Sequence, residues 1–166
     1  TILSGKSSVY LPIEKNMFKN SIVIAAYTKI GSILRNKNRK IQRDRLFFAG
    51  GAGSIRGYGY QKVGQVNDDK RPYGGESLFE MGIEPRLRVT EDVGLVAFLE
   101  GGNVYSSKMP HFFKKPLFGY GVGMRYYTPL GPIRLDLAFP TKRRKTSNNK
   151  RIDSMFNIYI SIGQAF

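Results

Sequence analysis

From Leu78 onward, apolar residues occupy every second position, the period of a β-strand whose two faces meet different surroundings. Phe79, Met81, Ile83, Pro85, Leu87 and Val89 share one face, and Leu78, Glu80, Gly82, Glu84, Arg86 and Arg88 the other. After the short turn Thr90-Glu91-Asp92, Val93, Leu95, Ala97 and Leu99 alternate with Gly94, Val96, Phe98 and Glu100. Phe118, Tyr120, Val122, Met124 and Tyr126 alternate with Gly119, Gly121, Gly123 and Arg125; Ile133, Leu135, Leu137 and Phe139 alternate with Arg134, Asp136 and Ala138. The last strand sets Phe156, Ile158, Ile160, Ile162 and Phe166 against Asn157, Tyr159, Ser161, Gly163 and Ala165. Upstream, Ser8 to Ile13 and Ser21 to Ile33 read as two further strands, the second with apolar residues on both faces.

A sandwich would bury the apolar face against a second sheet, but the connections point elsewhere. They alternate short (Thr90 to Asp92, Thr128 to Gly131) and long (Ser106 to Pro116, Thr141 to Ile152), the asymmetry of outer-membrane barrels. Tyr105, Tyr126, Tyr127, Phe139 and Phe166 gather near strand ends, where an interfacial aromatic girdle would lie. The pattern predicts an all-β, transmembrane antiparallel β-barrel. About seven strands is an odd number for a bacterial barrel, and an unclosed sheet leaves edges unpaired in lipid. Residues 1–166 therefore read as the C-terminal portion of a larger barrel.

Composition narrows the chemistry. The chain has 166 residues, no cysteine and one histidine, so disulfides, zinc-thiolate sites and thiol nucleophiles are excluded. No basic stretch and apolar core precede the first strand, so no signal peptide is expected. No apolar run approaches the ~18 residues of a membrane helix. Net charge is +15, a prompt for nucleic-acid binding. Its excess, however, lies in two loop-like runs, Arg35 to Arg45 and Lys142 to Arg151, interspersed with Asn and Ser. These read as solvated loops, without any nucleic-acid-binding motif, and no nucleic-acid partner is expected.

Catalytic readings fail on residues. The glycine-rich stretch at 50–59 lacks the Gly-Lys-Ser/Thr ending of a phosphate-binding loop. A nucleophilic triad would rest on His111, which lies in a loop-like run and reads as a surface residue. Glu84 and Glu100 stand among small and cationic residues, without the aromatic cleft of a glycosidase. No enzyme activity, cofactor or metal is expected.

The segment Phe47-Phe48-Ala49-Gly50-Gly51-Ala52-Gly53-Ser54-Ile55-Arg56-Gly57-Tyr58-Gly59-Tyr60 sets one arginine between glycines and aromatics. Glycines allow close backbone approach, and the guanidinium fork matches a fixed carboxylate. The segment reads as a loop that folds back and docks, within a longer inward-folding loop at about 35–73. The alternative is a solvated loop arginine.

That loop, ending Tyr58-Gly59-Tyr60-Gln61, resembles the sixth-loop motif of the Omp85 outer-membrane barrels (bacterial surface antigen D15 type), and within them the translocation and assembly module (TamA-like) branch. Four further stretches resemble the family in order. They are Gly82-Ile83-Glu84-Pro85-Arg86-Leu87, Val96 to Tyr105 (with Glu100 where the family usually has aspartate), Gly121 to Asp136, and Ile160 to Phe166.

The resemblance implies a sixteen-strand barrel of the bacterial outer membrane, these being its last seven strands, preceded by POTRA domains absent from this stretch. It implies an outer-membrane protein assembly or translocation factor that helps insert client barrels or autotransporters. Its partners would be outer-membrane lipid, client proteins and an inner-membrane or periplasmic subunit. A two-partner secretion pore of the same superfamily and a passive structural barrel or surface antigen are the alternatives. Carried over residue by residue, the resemblance makes Arg56, Gly57 and Tyr58 the loop latch, with Glu84 and Glu100 its wall partners. Tyr58 would pack beside the pair, with Phe98 a candidate contact. Arg125, Arg134 and Asp136 read as an inner-wall charge network. Phe166, with Ile162 and Ile160, resembles a C-terminal insertion signal.

Overall fold

The computed structural model describes residues 1–13, 21–34, 41–111 and 115–163. Within these, seven strands form one antiparallel sheet: β1 (Ile2–Ile13), β2 (Ile22–Ile33), β3 (Ser77–Arg88), β4 (Val93–Tyr105), β5 (Leu117–Tyr126), β6 (Ile133–Pro140) and β7 (Asn157–Ile162). Each strand pairs with the next in sequence, so the sheet is a simple meander. Helical structure among the described residues is limited to one 3-10 turn, Arg43–Arg45.

The alternation of residue types becomes an alternation of environments. In β6, Arg134, Asp136 and Ala138 are buried while Ile133, Leu135 and Leu137 stay exposed. In β4, Val96, Phe98 and Glu100 are buried and Leu95 and Leu99 exposed. The apolar residues therefore face away from the protein, and the charged and small residues face into it. This inversion of a soluble sheet is stable where the outer surface meets hydrocarbon and the inner surface is covered by polar partners. The outer face runs unbroken through Met81, Ile83, Leu95, Leu99, Val122, Met124, Leu135, Leu137, Ile158 and Ile160, the continuous apolar surface of a transmembrane barrel wall.

Register places small residues beside large inner-face groups. Gly82 pairs with Glu100, Glu100 with Gly119, Phe98 with Gly121, and Gly123 with Asp136. The β3–β4 pairing is interrupted between Ile83 and Arg86, where Pro85 has no N–H to donate.

The structure corrects one boundary and sorts the two faces of one strand. The first strand begins at Ile2 rather than Ser8, because Ile2 to Ser7 pair in register with Ile33 to Thr28. The mixed face of β2 resolves into one phase: Ala25, Tyr27 and Ile33 are buried on the inner side. The final strand is described from Asn157 to Ile162, and Phe166 lies outside the described residues.

An outer face in contact with lipid makes a sharp prediction. In the full-length barrel folded reversibly into liposomes, Leu137→Arg should cost about 2–4 kcal/mol, the range for a mid-membrane cation on the lipid face. Leu130→Arg, at the tip of the short β5–β6 turn, should cost almost nothing. Urea titration of both variants checks this, and equal effects would remove the outer face from the membrane.

Candidate functional site: a loop arginine among wall carboxylates

The β2–β3 connection folds against the inner face of the sheet. Bridges between Phe47 and Gly75 and between Ala49 and Val63 close it into a compact hairpin-like loop. Inside it, Ile55, Arg56 and Tyr58 are completely buried. Gly57 takes φ +101°, and a Cβ there would stand 2.7 Å from the Phe139 carbonyl oxygen of β6. Gly119 on β5 makes the reciprocal allowance, since a Cβ on it would stand 1.7 Å from the Arg56 carbonyl oxygen. Only hydrogen fits at either position, so loop backbone and wall backbone touch directly.

Arg56 uses its whole guanidinium on that wall. Its Nη2 lies 2.6 Å from Glu100 Oε1 and 2.7 Å from Glu84 Oε2; its Nη1 lies 3.0 Å from Asp136 Oδ2. Nε donates to Glu100 at 3.0 Å, and the Arg56 backbone N–H donates to Glu100 Oε2 at 2.8 Å. The Phe98 ring lies under the guanidinium, 3.5 Å from Cζ to the ring centroid, a cation–π contact in a desolvated setting. Burial by itself would lower the Arg56 pKa, but the carboxylates of Glu100, Glu84 and Asp136 outweigh it and raise it. The arginine stays charged.

The carboxylates are not held by Arg56 alone. Asp136 also accepts from Arg125 Nη1 at 2.5 Å and Arg134 Nη2 at 3.0 Å, and Glu84 from Arg86 Nε at 2.9 Å. Glu100 differs, because Arg56 is its only ion-pair partner among the described residues. The group supplies no metal site, since no cluster of three or more His, Cys, Asp or Glu among the described residues could hold a cation.

Contacts on both sides of Arg56 fix the loop further. Ser54 Oγ donates to buried Glu80 at 2.6 Å and accepts from the Gly50 N–H. From β7, Asn157 Nδ2 donates to the Gly57 carbonyl at 2.7 Å, and Tyr159 donates its hydroxyl to the Tyr58 carbonyl at 2.8 Å. The Tyr58 side chain packs with Ala49, Ile55, Val63, Leu78, Val104 and Leu117, and its hydroxyl lies 3.2 Å from the carbonyls of Phe118 and Lys142. Burial raises the Tyr58 pKa, so the phenol stays neutral.

A second arginine grips the loop from the β6–β7 connection. Arg144 pairs with Asp153 through Nε at 2.8 Å and Nη2 at 2.8 Å, and its backbone N–H reaches the same carboxylate at 2.9 Å. The guanidinium then donates to two loop carbonyls, Gly64 at 2.7 Å and Lys62, and sits 5.4 Å from the Tyr58 ring centroid. The outer end of the loop is thereby clasped to the β6–β7 connection.

The structure brings Arg56, Glu84, Glu100 and Phe98 into direct contact, and joins Arg125, Arg134 and Asp136 to the same cluster through Asp136. The expected separation of latch and wall network therefore gives way to one assembly. Phe98 contacts the arginine, while Tyr58 packs in a different cluster. Ile160 and Ile162 lie exposed on the outer face of β7, and the Phe166 expectation falls outside the described residues. Sequence reasoning passed over Ser54 with Glu80, Asn157 with Tyr159, and Arg144 with Asp153. Glu80 shares the inner phase of β3 with Glu84, which could have drawn attention to it. Arg144 is a correction: it sits in a run read as solvated, yet spends its donors on a nearly buried aspartate and loop carbonyls.

A family model of the Omp85 superfamily domain matches residues 2–166. Among solved structures, the chain is similar to that described as "The crystal structure of BamA from Haemophilus ducreyi lacking POTRA domains 1-3". The TM-score is 0.72 with 19% identity over 95% of this chain and 34% of that chain. The likeness extends to the C-terminal part of that barrel. At such identity it concerns the fold, and this chain spans about a third of that one's length.

The exclusive pairing of Glu100 gives a double-mutant test in the full-length protein. Arg56→Ala strands a buried carboxylate and should cost about 3–5 kcal/mol. Glu100→Gln should cost less, because Arg56 keeps Glu84 and Asp136. Adding Glu100→Gln to Arg56→Ala should recover part of the loss, a coupling measurable by denaturant titration. Strict additivity would mean that the two side chains do not meet.

Proposed function

Because the chain belongs to the Omp85 superfamily, we propose that it forms the latch-bearing part of an outer-membrane protein assembly or translocation factor, one that helps client barrels or autotransporters enter the membrane. The supporting observation is the fully buried Arg56, shared by three carboxylates on β3, β4 and β6. A desolvated ion cluster adds little net stability over an apolar packing but strongly prefers one arrangement. Docking a loop this way fixes the wall in a defined state and lets a competing interaction shift it.

Within the superfamily, the Tyr58-Gly59-Tyr60-Gln61 ending favours the translocation and assembly module branch. The expected setting is the bacterial outer membrane. Partners would be lipid, client proteins, and an inner-membrane or periplasmic subunit. No enzymatic step is needed, since burial of client strands and their backbone hydrogen bonds in lipid supplies the driving force. A secretion pore of the same superfamily would instead conduct its client past the loop.

Two manipulations separate docking from mere folding. Gly119→Val puts a side chain where the Arg56 carbonyl lies and leaves every charge in place, so it should unseat the loop and lower client insertion at least tenfold while the barrel still forms. Conversely, Asp68 and Ser147 are exposed and hydrogen-bonded across the two connections. Cysteines at both positions should form a disulfide that tethers the loop from outside. If the loop must shift during assembly, oxidation should stop client insertion and reductant restore it in the same sample. Unchanged insertion by Gly119→Val with an unseated loop, shown by protease cleavage between Asp44 and Gln65, would refute the latch.

A further inference from the structure

Beside the Arg144–Asp153 clasp, between the loop and the β6–β7 connection, lies an open cavity of ≈ 260 Å³ lined by Lys62, Lys70, Arg143 and Arg151. The lining carboxylate, Asp153, is already spent: Arg144 engages both its oxygens. No described residue forms a hydrogen bond or ion pair with the side chains of those four cations. Four like charges around one concavity repel one another, and the field they focus favours a multivalent anion. Arginine forks and lysine ammonium groups together suit phosphate oxygens.

One point on the cavity's margin is apolar and exposed. Met155 forms part of its lining and is 65% exposed. The next residue, Phe156, lies 6.4 Å from Phe139 between ring centroids, and Phe139 stacks on Tyr120 at 5.7 Å. These three aromatics start the outer, lipid-facing surface. A soluble anion would use the cations and ignore this row. A lipid would use both, with its headgroup in the cavity and its chains against the aromatics.

We propose that this cavity binds the phosphate-bearing headgroup of a membrane lipid in the leaflet at the long-loop end of the barrel. The inference rests on the membrane placement of the outer face but not on client assembly, so its test reads lipid binding alone. The loop run Lys142 to Arg151 is thereby more than a solvated surface, because it supplies Arg143 and Arg151 to a site completed by Lys62 and Lys70 of the docked loop.

The test uses the full-length protein in nanodiscs of zwitterionic phosphatidylcholine, doped with a fluorescent bis-phosphorylated acyl disaccharide or its dephosphorylated counterpart. The wild type should retain the phosphorylated lipid at least tenfold more strongly than the dephosphorylated one. The double variant Lys70→Ser/Arg151→Ser, which leaves Arg144 and Asp153 in place, should lose that preference, and Met155→Ser should weaken retention without removing the phosphate dependence. Equal retention of the two lipids, or an unchanged preference in the double variant, would overturn the proposal. So would full displacement by millimolar inorganic pyrophosphate with no effect of Met155→Ser, which would assign the cavity to a soluble anion. Leu137→Arg tests the membrane face separately, so loss of the lipid site can be told apart from loss of that reading.

Discussion

A positive charge removed from water must be answered by negative charge at contact distance, and in this protein the answer comes from three different strands. Arg56 has no solvent exposure, and its donors end on Glu84 of β3, Glu100 of β4 and Asp136 of β6. No single strand could supply that set, so the arginine can be satisfied only when β3 to β6 are paired in register and the loop is fully seated. Because stranding one charge costs far more than the assembled cluster gains, partly docked states are disfavoured on both sides. The cluster acts on the choice of state more than on total stability.

Space is the second condition. A guanidinium and its backbone reach the wall only because β5 carries glycine at 119, 121 and 123 on the inner phase. A Cβ at 119 would overlap the Arg56 carbonyl, and one at 123 would stand 2.0 Å from Asp136 Oδ1. The outer residues of the same strand, Tyr120, Val122 and Met124, are large and exposed. One strand thus serves lipid on one side and a polypeptide loop on the other, and its sequence alternates accordingly. The clasp from Arg144 and the hydrogen bonds from Asn157 and Tyr159 then close the loop from the β7 side.

Much of this was legible in the sequence, for a reason that can be stated. Period-two alternation fixes which residues share a face, and by itself it places Glu84, Glu100, Arg125, Arg134 and Asp136 on the inner side. The bracketed Arg56 stood out because glycine neighbours signal close approach. Alternation does not say how far across a sheet a side chain reaches, and so Asp136, two strands beyond Glu100, was grouped with Arg125 and Arg134 rather than with the loop. Loop–loop contacts left still less trace. Arg144 and Asp153 lie nine residues apart in a polar run, and nothing periodic marks one arginine there as tied to loop carbonyls. The start of β1 was missed because Ile2 to Ser7 carry few apolar residues, and their place is set by pairing to β2 rather than by their own pattern.

The account stands on Arg56 being a static, water-excluded ion rather than a mobile loop cation. Solid-state NMR of the full-length protein in bilayers, with 15N-labelled arginine and 13C-labelled glutamate, addresses that point at the atoms concerned. The structure predicts an Arg56 Nε–H resonance protected from solvent exchange and dipolar-coupled to the Glu100 carboxylate carbon, with that coupling lost in Glu100→Gln. A motionally averaged Arg56 signal in rapid exchange with water, uncoupled to any glutamate, would contradict it.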